Sequence, residues 1–212
     1  MTLTDKLREL AAELLHDQGK AVVDKAFGNG KAASFVKEAV GELLGGDGAS
    51  KTVAFTTIPE NLAELQATPE AALASPYDAV ALTLAALSSF ERDPQAVWEM
   101  LDFLKGPEDV TEGEKQFITE RLRNKGYKIR SFFRGATPEN NYAPTTPWTV
   151  VVSANPRSFS QERWATLYVQ SGGADSPREI RLRQKPSTGQ WFVSEIMCLG
   201  DIRLPRDEDK WA

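Results

Sequence analysis

The spacing of apolar residues changes once along this chain, near residue 135, and that change sets the fold class. Before it, apolar residues recur at helical intervals; after it, they alternate or run in short β-branched and aromatic blocks. Ser75-Pro76-Tyr77-Asp78 supplies an N-cap serine, a first-turn proline and an acid at the capping-box position, and Asp93-Pro94 and Thr111-Glu112-Gly113-Glu114 repeat the signal. Three helices follow. The first, from 76 to about 91, is apolar on most sides (Val80, Leu82, Leu84, Leu87, Phe90), the pattern of a helix packed centrally. The second puts Val97, Met100, Leu101 and Leu104 on one face and stops at Gly106-Pro107. Past the turn-rich stretch 135–144, strands are predicted at 148–153, 164–170, 179–185 and 190–199, separated by clusters of Gly, Pro, Ser and Asn. The short loops between them predict an antiparallel meander. Helices to about 134 and strands from about 148 make residues 51–212 one α+β domain, a helical layer packed on a β-meander of about four strands.

Residues 1–50 read differently. Leu3, Leu7, Leu10 and Leu14 fall on one helical seam, Val36, Val40, Leu43 and Leu44 form a second stripe, and Gly45-Gly46-Asp47-Gly48-Ala49-Ser50 follows as a linker. This predicts an amphipathic helical arm that a protease separates from the main domain. Its seam over residues 1–44 needs a covering surface, a protein partner or a second copy. Six basic against eight acidic residues in this stretch are the wrong sign for an anionic membrane.

The whole chain is acidic, 30 Asp and Glu against 25 Lys and Arg, which argues against a dedicated nucleic-acid binder. One cysteine, Cys198, and one histidine, His16, leave no internal disulfide and no common zinc spacing, so neither metal nor cofactor is expected. Charges interrupt the first residues where a secretory segment needs an apolar run, and no stretch has the eighteen or so apolar residues of a membrane span, so a cytoplasmic address is expected.

The catalytic motifs fail individually. His16 lies in the arm, away from any nucleophile of the main domain. Ser34-Phe35-Val36-Lys37 has the Ser-x-x-Lys spacing without its companion elements, and Gly28-Asn29-Gly30-Lys31 lacks the upstream glycine and the hydroxyl of a phosphate loop. Arg121, Arg123, Lys125, Lys128, Arg130 and Arg134 interleave with Phe117, Tyr127, Phe132 and Phe133, a composition suited to single-stranded RNA. In a chain acidic overall, the reading preferred for the same residues is a decorated helix end with its aromatics in the core.

Ile180 and Leu182 alternate with Arg181 and Arg183, which puts a cationic stripe on the face opposite the apolar one. If Pro186-Ser187-Thr188-Gly189 closes a hairpin, counting back sets Glu195 opposite Ile180 on the apolar face, where burial would make it a general acid. A β-bulge would instead turn Glu195 outward. In a meander, the loop before the first predicted strand, the loop between the second and third, and the segment after the fourth share one end. Asn140, Asn141, Tyr142, Asp175, Arg178, Asp201 and Arg203 therefore form one candidate binding cluster, or a set of groups that satisfy one another and hold the loops shut.

The stretches "IPENLAEL", "MLDFLKGP", "FRGATPENNYAP", "ATLYVQSGGADSPR", "LRQKPSTGQWF" and "IRLPRDEDKWA" resemble an uncharacterised bacterial family of unknown function of the gut Firmicutes type, over residues 53–212. The resemblance implies the domain boundary and a bacterial cytoplasmic setting, and carries no reaction or functional residue. Where that family's pattern has a further aromatic after "GQWF", this chain has Val193-Ser194-Glu195. The functional expectation is a non-catalytic cytoplasmic interaction module. The alternatives are a hydrolase-like enzyme using carboxylates such as Asp175, Glu195 and Asp201, and an RNA-associated protein using the 121–134 basic run.

Overall fold

The computed structural model describes residues 50–211. The chain divides into the units Met1–Ala49 and Ser50–Ala212, and the expected arm and linker up to Ala49 lie outside the described residues. The main unit runs β1 (Ser50–Phe55), α1 (Leu62–Gln66), α2 (Pro76–Leu87), α3 (Pro94–Lys105), α4 (Glu112–Leu122), α5 (Tyr127–Arg130), then β2 (Trp148–Ser153), β3 (Trp164–Val169), β4 (Arg178–Gln184) and β5 (Trp191–Ile196). Short 3₁₀ turns lie at Pro69–Ala72, Pro138–Asn140 and Arg206–Glu208.

The caps act as their residue types dictate. Asp93 accepts from the backbone N–H groups of Gln95 and Ala96 at the start of α3. Thr111 and Glu114 form a reciprocal capping box on α4, and Gly106, at φ 75°, ends α3. Helix α2 stops at Leu87 rather than near Glu91. The Ser88 hydroxyl turns back to the Leu84 carbonyl and the Ser89 hydroxyl leaves for the distant Pro59 carbonyl, so one local and one long-range side-chain bond mark the helix end. Every residue of α2 is buried, as its all-round apolar pattern requires, and it packs against α3 and against β1, β2, β3 and β5.

The sheet has five strands in the order β1-β2-β3-β4-β5, all neighbours antiparallel. The additional strand is β1, which begins at Ser50, the last residue of the expected linker. It pairs with β2 along its length, from Ser50 opposite Ser153 to Phe55 opposite Trp148. Val53, Phe55, Val150, Val152, Ala165, Leu167, Val169, Ile180, Leu182 and Val193 form the buried face under the helices. Alternation puts Thr52, Val151, Trp164, Thr166, Tyr168, Arg181, Arg183 and Phe192 on the other face. The β4–β5 register slips between Arg181 and Leu182: Leu182 faces Val193 while Arg181 faces Glu195, so Ser194 is the extra residue of a bulge.

One ion pair ties α3 to α4. Lys105 is buried, and its ammonium lies 2.6 Å from the Glu114 carboxylate. Burial raises the Glu114 carboxyl, but hydrogen bonds from Lys105 and from the Thr111 backbone and hydroxyl outweigh it and hold the group below its ordinary value. A carboxyl lowered in the folded state stabilises it in full above the ordinary value of 4.5, and the stabilisation disappears as pH falls from there through the lowered folded value. Glu114→Gln is therefore expected to cost about 1 kcal/mol at neutral pH, with the difference between wild type and variant in urea unfolding shrinking as pH falls below 4.5. A difference that stays constant across this range would contradict the assignment.

Candidate functional site

At one end of the sheet the structure brings together all the residues of the loop cluster, and their hydrogen bonds run to one another. Asn140 is used within its own loop: its Oδ1 accepts from the backbone of Thr137 (2.9 Å) and Ala143 (3.2 Å), and its Nδ2 donates to the carbonyls of Gly135 (2.8 Å) and Ala143 (3.1 Å). Asn141 exchanges two bonds with Asp207, Nδ2 to its carboxylate at 2.9 Å and Oδ1 from its backbone N–H at 3.1 Å. The Tyr142 ring is buried, stacks on Tyr127 at 5.6 Å, and its hydroxyl donates to the Arg203 carbonyl at 2.8 Å. Burial pushes the Tyr142 phenol up to about 12, so it stays a donor.

The third segment closes the cluster. Arg178 donates to the carbonyls of Asp201 (2.8 Å), Ser176 (3.1 Å) and Gly200 (3.3 Å), and the Arg203 guanidinium pairs with the Asp175 carboxylate. Asp201 contributes its backbone carbonyl, with its side chain exposed. Two serine hydroxyls, Ser171 and Ser131, meet at 2.8 Å beneath, and the Gly172 N–H donates to the Ser131 carbonyl at 2.8 Å. Asn141, Tyr142 and Asp201 hold positive φ (54°, 57° and 46°), and these bonds keep them there. The geometry is that of a latch, in which the loops are closed on themselves.

The basic run separates. Lys128 is buried and donates to the Leu199 carbonyl at 3.1 Å, and burial first, then Lys125 and Arg121, lower its ammonium. Arg130 lies 3.7 Å from Glu91, and Tyr127, Phe132 and Phe133 enter the core. Arg121, Arg123, Lys125 and Arg134 remain exposed, with Arg121 over the Phe117 ring at 5.2 Å. The carboxylates separate too. Glu195 points outward from the bulge to Arg181 at 3.0 Å, and the Asp175 side chain is 88% exposed, so neither has the desolvation that makes a general acid. Cys198 is fully buried, and burial pushes its thiol up to about 12.

The cationic stripe has a feature that residue spacing did not reveal. Trp164 opens β3 opposite Arg183, and the Arg181 and Arg183 guanidinium groups lie over its ring at 5.7 and 5.3 Å. Beside them, at the sheet end opposite the latch, is a cleft of about 320 Å³ bounded by Trp164, Arg183, Lys185, Phe192, Lys105 and Pro107. Trp164 and Arg183 also line an adjoining hollow of about 230 Å³ with Glu162 and Arg163. Gly106 lies against the Phe192 ring, and a side chain there would overlap it, so the end of α3 forms the far wall. Lys105 is committed to Glu114, but neither Arg183 nor Lys185 has an ion pair among the described residues. A groove of about 410 Å³ near Trp98 and Arg123 is larger, but Trp98 packs edge-on against buried Phe90 and Glu91 already accepts from the Gly126 N–H.

Residues 57–206 match the family described as a domain of unknown function, DUF6935. The chain belongs to this family. Neither a curated protein nor a solved structure matches it. The DUF6935 span takes in α1 to β5, both cleft rings and the latch as far as Arg203, while β1 and residues 207–211 lie outside it. Among the described residues no group of His, Cys, Asp and Glu is arranged to hold a metal ion, and no helix is long and apolar enough to cross a membrane.

Proposed function

We propose that this DUF6935 protein is a non-catalytic binding module of the bacterial cytoplasm that holds an acidic, aromatic-bearing protein segment in the Trp164–Arg183 cleft. One observation carries the reading: two cations without ion pairs among the described residues, Arg183 and Lys185, stand beside the rings of Trp164 and Phe192 in one concave surface. Such a surface suits a carboxylate for charge and a ring for contact area. The carboxylates of the hydrolase reading are exposed, Asp175 and Glu195 being bound to arginines as well, and three of the four aromatics of the RNA reading are buried, so both alternatives have less support. The leucine seam of residues 1–44 is proposed as a second contact to the same partner.

Calorimetric titration with the peptide Glu-Glu-Tyr-Glu-Glu and its glutamine analogue tests this. Binding of the acidic peptide is expected, weakened about tenfold or more by Arg183→Glu and by replacing its glutamates with glutamine. No binding of the acidic peptide, or equal affinity in Arg183→Glu, would contradict the reading. Binding of poly(U) that is lost in an Arg123→Ala, Lys125→Ala variant would favour the RNA alternative in its place.

A further inference from the structure

The segment that leaves the latch carries what the cleft calls for. Trp211 is 96% exposed, the most exposed large hydrophobic among the described residues, and it follows Asp207-Glu208-Asp209-Lys210. An exposed indole beside carboxylates is the ring-and-charge combination that the cleft is read to hold. Asp207 is committed to Asn141, and one oxygen of Asp209, two residues before the ring, accepts from the Trp211 N–H at 2.9 Å; Glu208, three residues before the ring, and the other Asp209 oxygen are the carboxylate groups that face outward. Across the cleft, Arg183, stacked on the Trp164 ring, and Lys185 are the cations without an ion pair among the described residues, and Glu108 on the wall offers Lys210 a counter-charge.

In this structure the segment does not occupy its own cleft: Trp211 is 96% exposed, and the latch that anchors the segment lies at the opposite end of the sheet. Arg178 belongs to the latch and Arg183 to the cleft, and the five residue steps of β4 from one to the other span about 17 Å at 3.3–3.4 Å per residue. Residue 207 is anchored to Asn141 within the latch, and four further residues extend at most about 14 Å. We infer that residues 207–211 of one copy dock in the Trp164–Arg183 cleft of a second copy, with the Trp211 indole against the Trp164 and Phe192 rings and Glu208 and Asp209 against Arg183 and Lys185. The inference rests on the binding reading above and names its occupant. Because the segment and the cleft are different patches at opposite ends of the sheet, the contact is head to tail: each copy offers one free segment and one free cleft, and chains or rings of copies form.

Sedimentation velocity of the full chain over a wide concentration range at low salt reads this directly. Weight-average sedimentation is expected to rise with concentration in the wild type, and to stay that of a monomer in Trp211→Ala and in Arg183→Glu. Trp211 is almost fully exposed, so its removal leaves the fold intact. Mixing the two variants restores one productive contact, the segment of Arg183→Glu in the cleft of Trp211→Ala, and is expected to give a heterodimer and nothing larger. Association that survives in either single variant, or a mixture that stays monomeric, would overturn the inference. A monomeric wild type that still binds Glu-Glu-Tyr-Glu-Glu would overturn it too and leave the cleft reading standing, whereas a monomeric wild type that binds no acidic peptide would overturn both.

Discussion

Gly172→Ala is expected to lower the unfolding free energy by about 3 kcal/mol, the upper end of what overpacking a close contact costs. A Cβ at this position would overlap the Ala136 carbonyl oxygen and stand 3.4 Å from the Thr137 Cα. Both obstacles are backbone, so no side-chain rotation relieves them. Relief needs the two loops to part, and parting breaks the Gly172–Ser131 and Ser171–Ser131 bonds, each 2.8 Å. At Gly113, in the first turn of α4, a Cβ would meet nothing within 4 Å, and Gly113→Ala is expected to raise stability by about 0.5 kcal/mol through the lost freedom of the unfolded chain. Urea unfolding of the pair checks both signs. A neutral Gly172→Ala would mean that the loops are not packed as described.

Tyr142→Ala should be the most damaging single change, at about 4 kcal/mol, because it empties a fully buried aromatic site next to Tyr127 and leaves the Arg203 carbonyl without its donor. Tyr142→Phe keeps the ring and loses only the hydroxyl bond, for about 1 kcal/mol. Thermal unfolding of both variants separates packing from hydrogen bonding. Equal losses would show that the hydroxyl, not the ring, holds the latch.

How far residues alone lead depends on whether a feature is local. Strand β2 is legible to the residue, since Trp148-Thr149-Val150-Val151-Val152-Ser153 is a β-branched run between a proline and an alanine-asparagine turn. The starts of α3 and α4 are equally legible, because a cap is a bond between neighbours. Strand β1 escapes: only Val53 and Phe55 mark its buried face, it follows a glycine-rich stretch, and its partner β2 is distant in sequence. The latch is foreseen as a cluster, because the parity of a meander alone decides which loops share an end. Whether its groups face a ligand or one another depends on distances that no spacing encodes. Trp164 was invisible as a site residue for a related reason: its setting beside Arg181 and Arg183 comes from the β3–β4 register, a non-local property. The ambiguity at Glu195 turned on one inserted residue, Ser194, and a shift of one position moves a side chain to the other face.

Paired measurements on two arginines of the same strand test most directly the claim that the latch is structural and the cleft binds. Melting temperature and affinity for Glu-Glu-Tyr-Glu-Glu are measured for Arg178→Ala and Arg183→Ala. Arg178, with three backbone carbonyls as partners, should cost about 4 °C in melting and leave affinity unchanged; Arg183, exposed and without an ion pair among the described residues, should leave melting unchanged and weaken the peptide about tenfold. An Arg178→Ala variant that melts like wild type but no longer binds would contradict the account and move the binding site to the loop cluster.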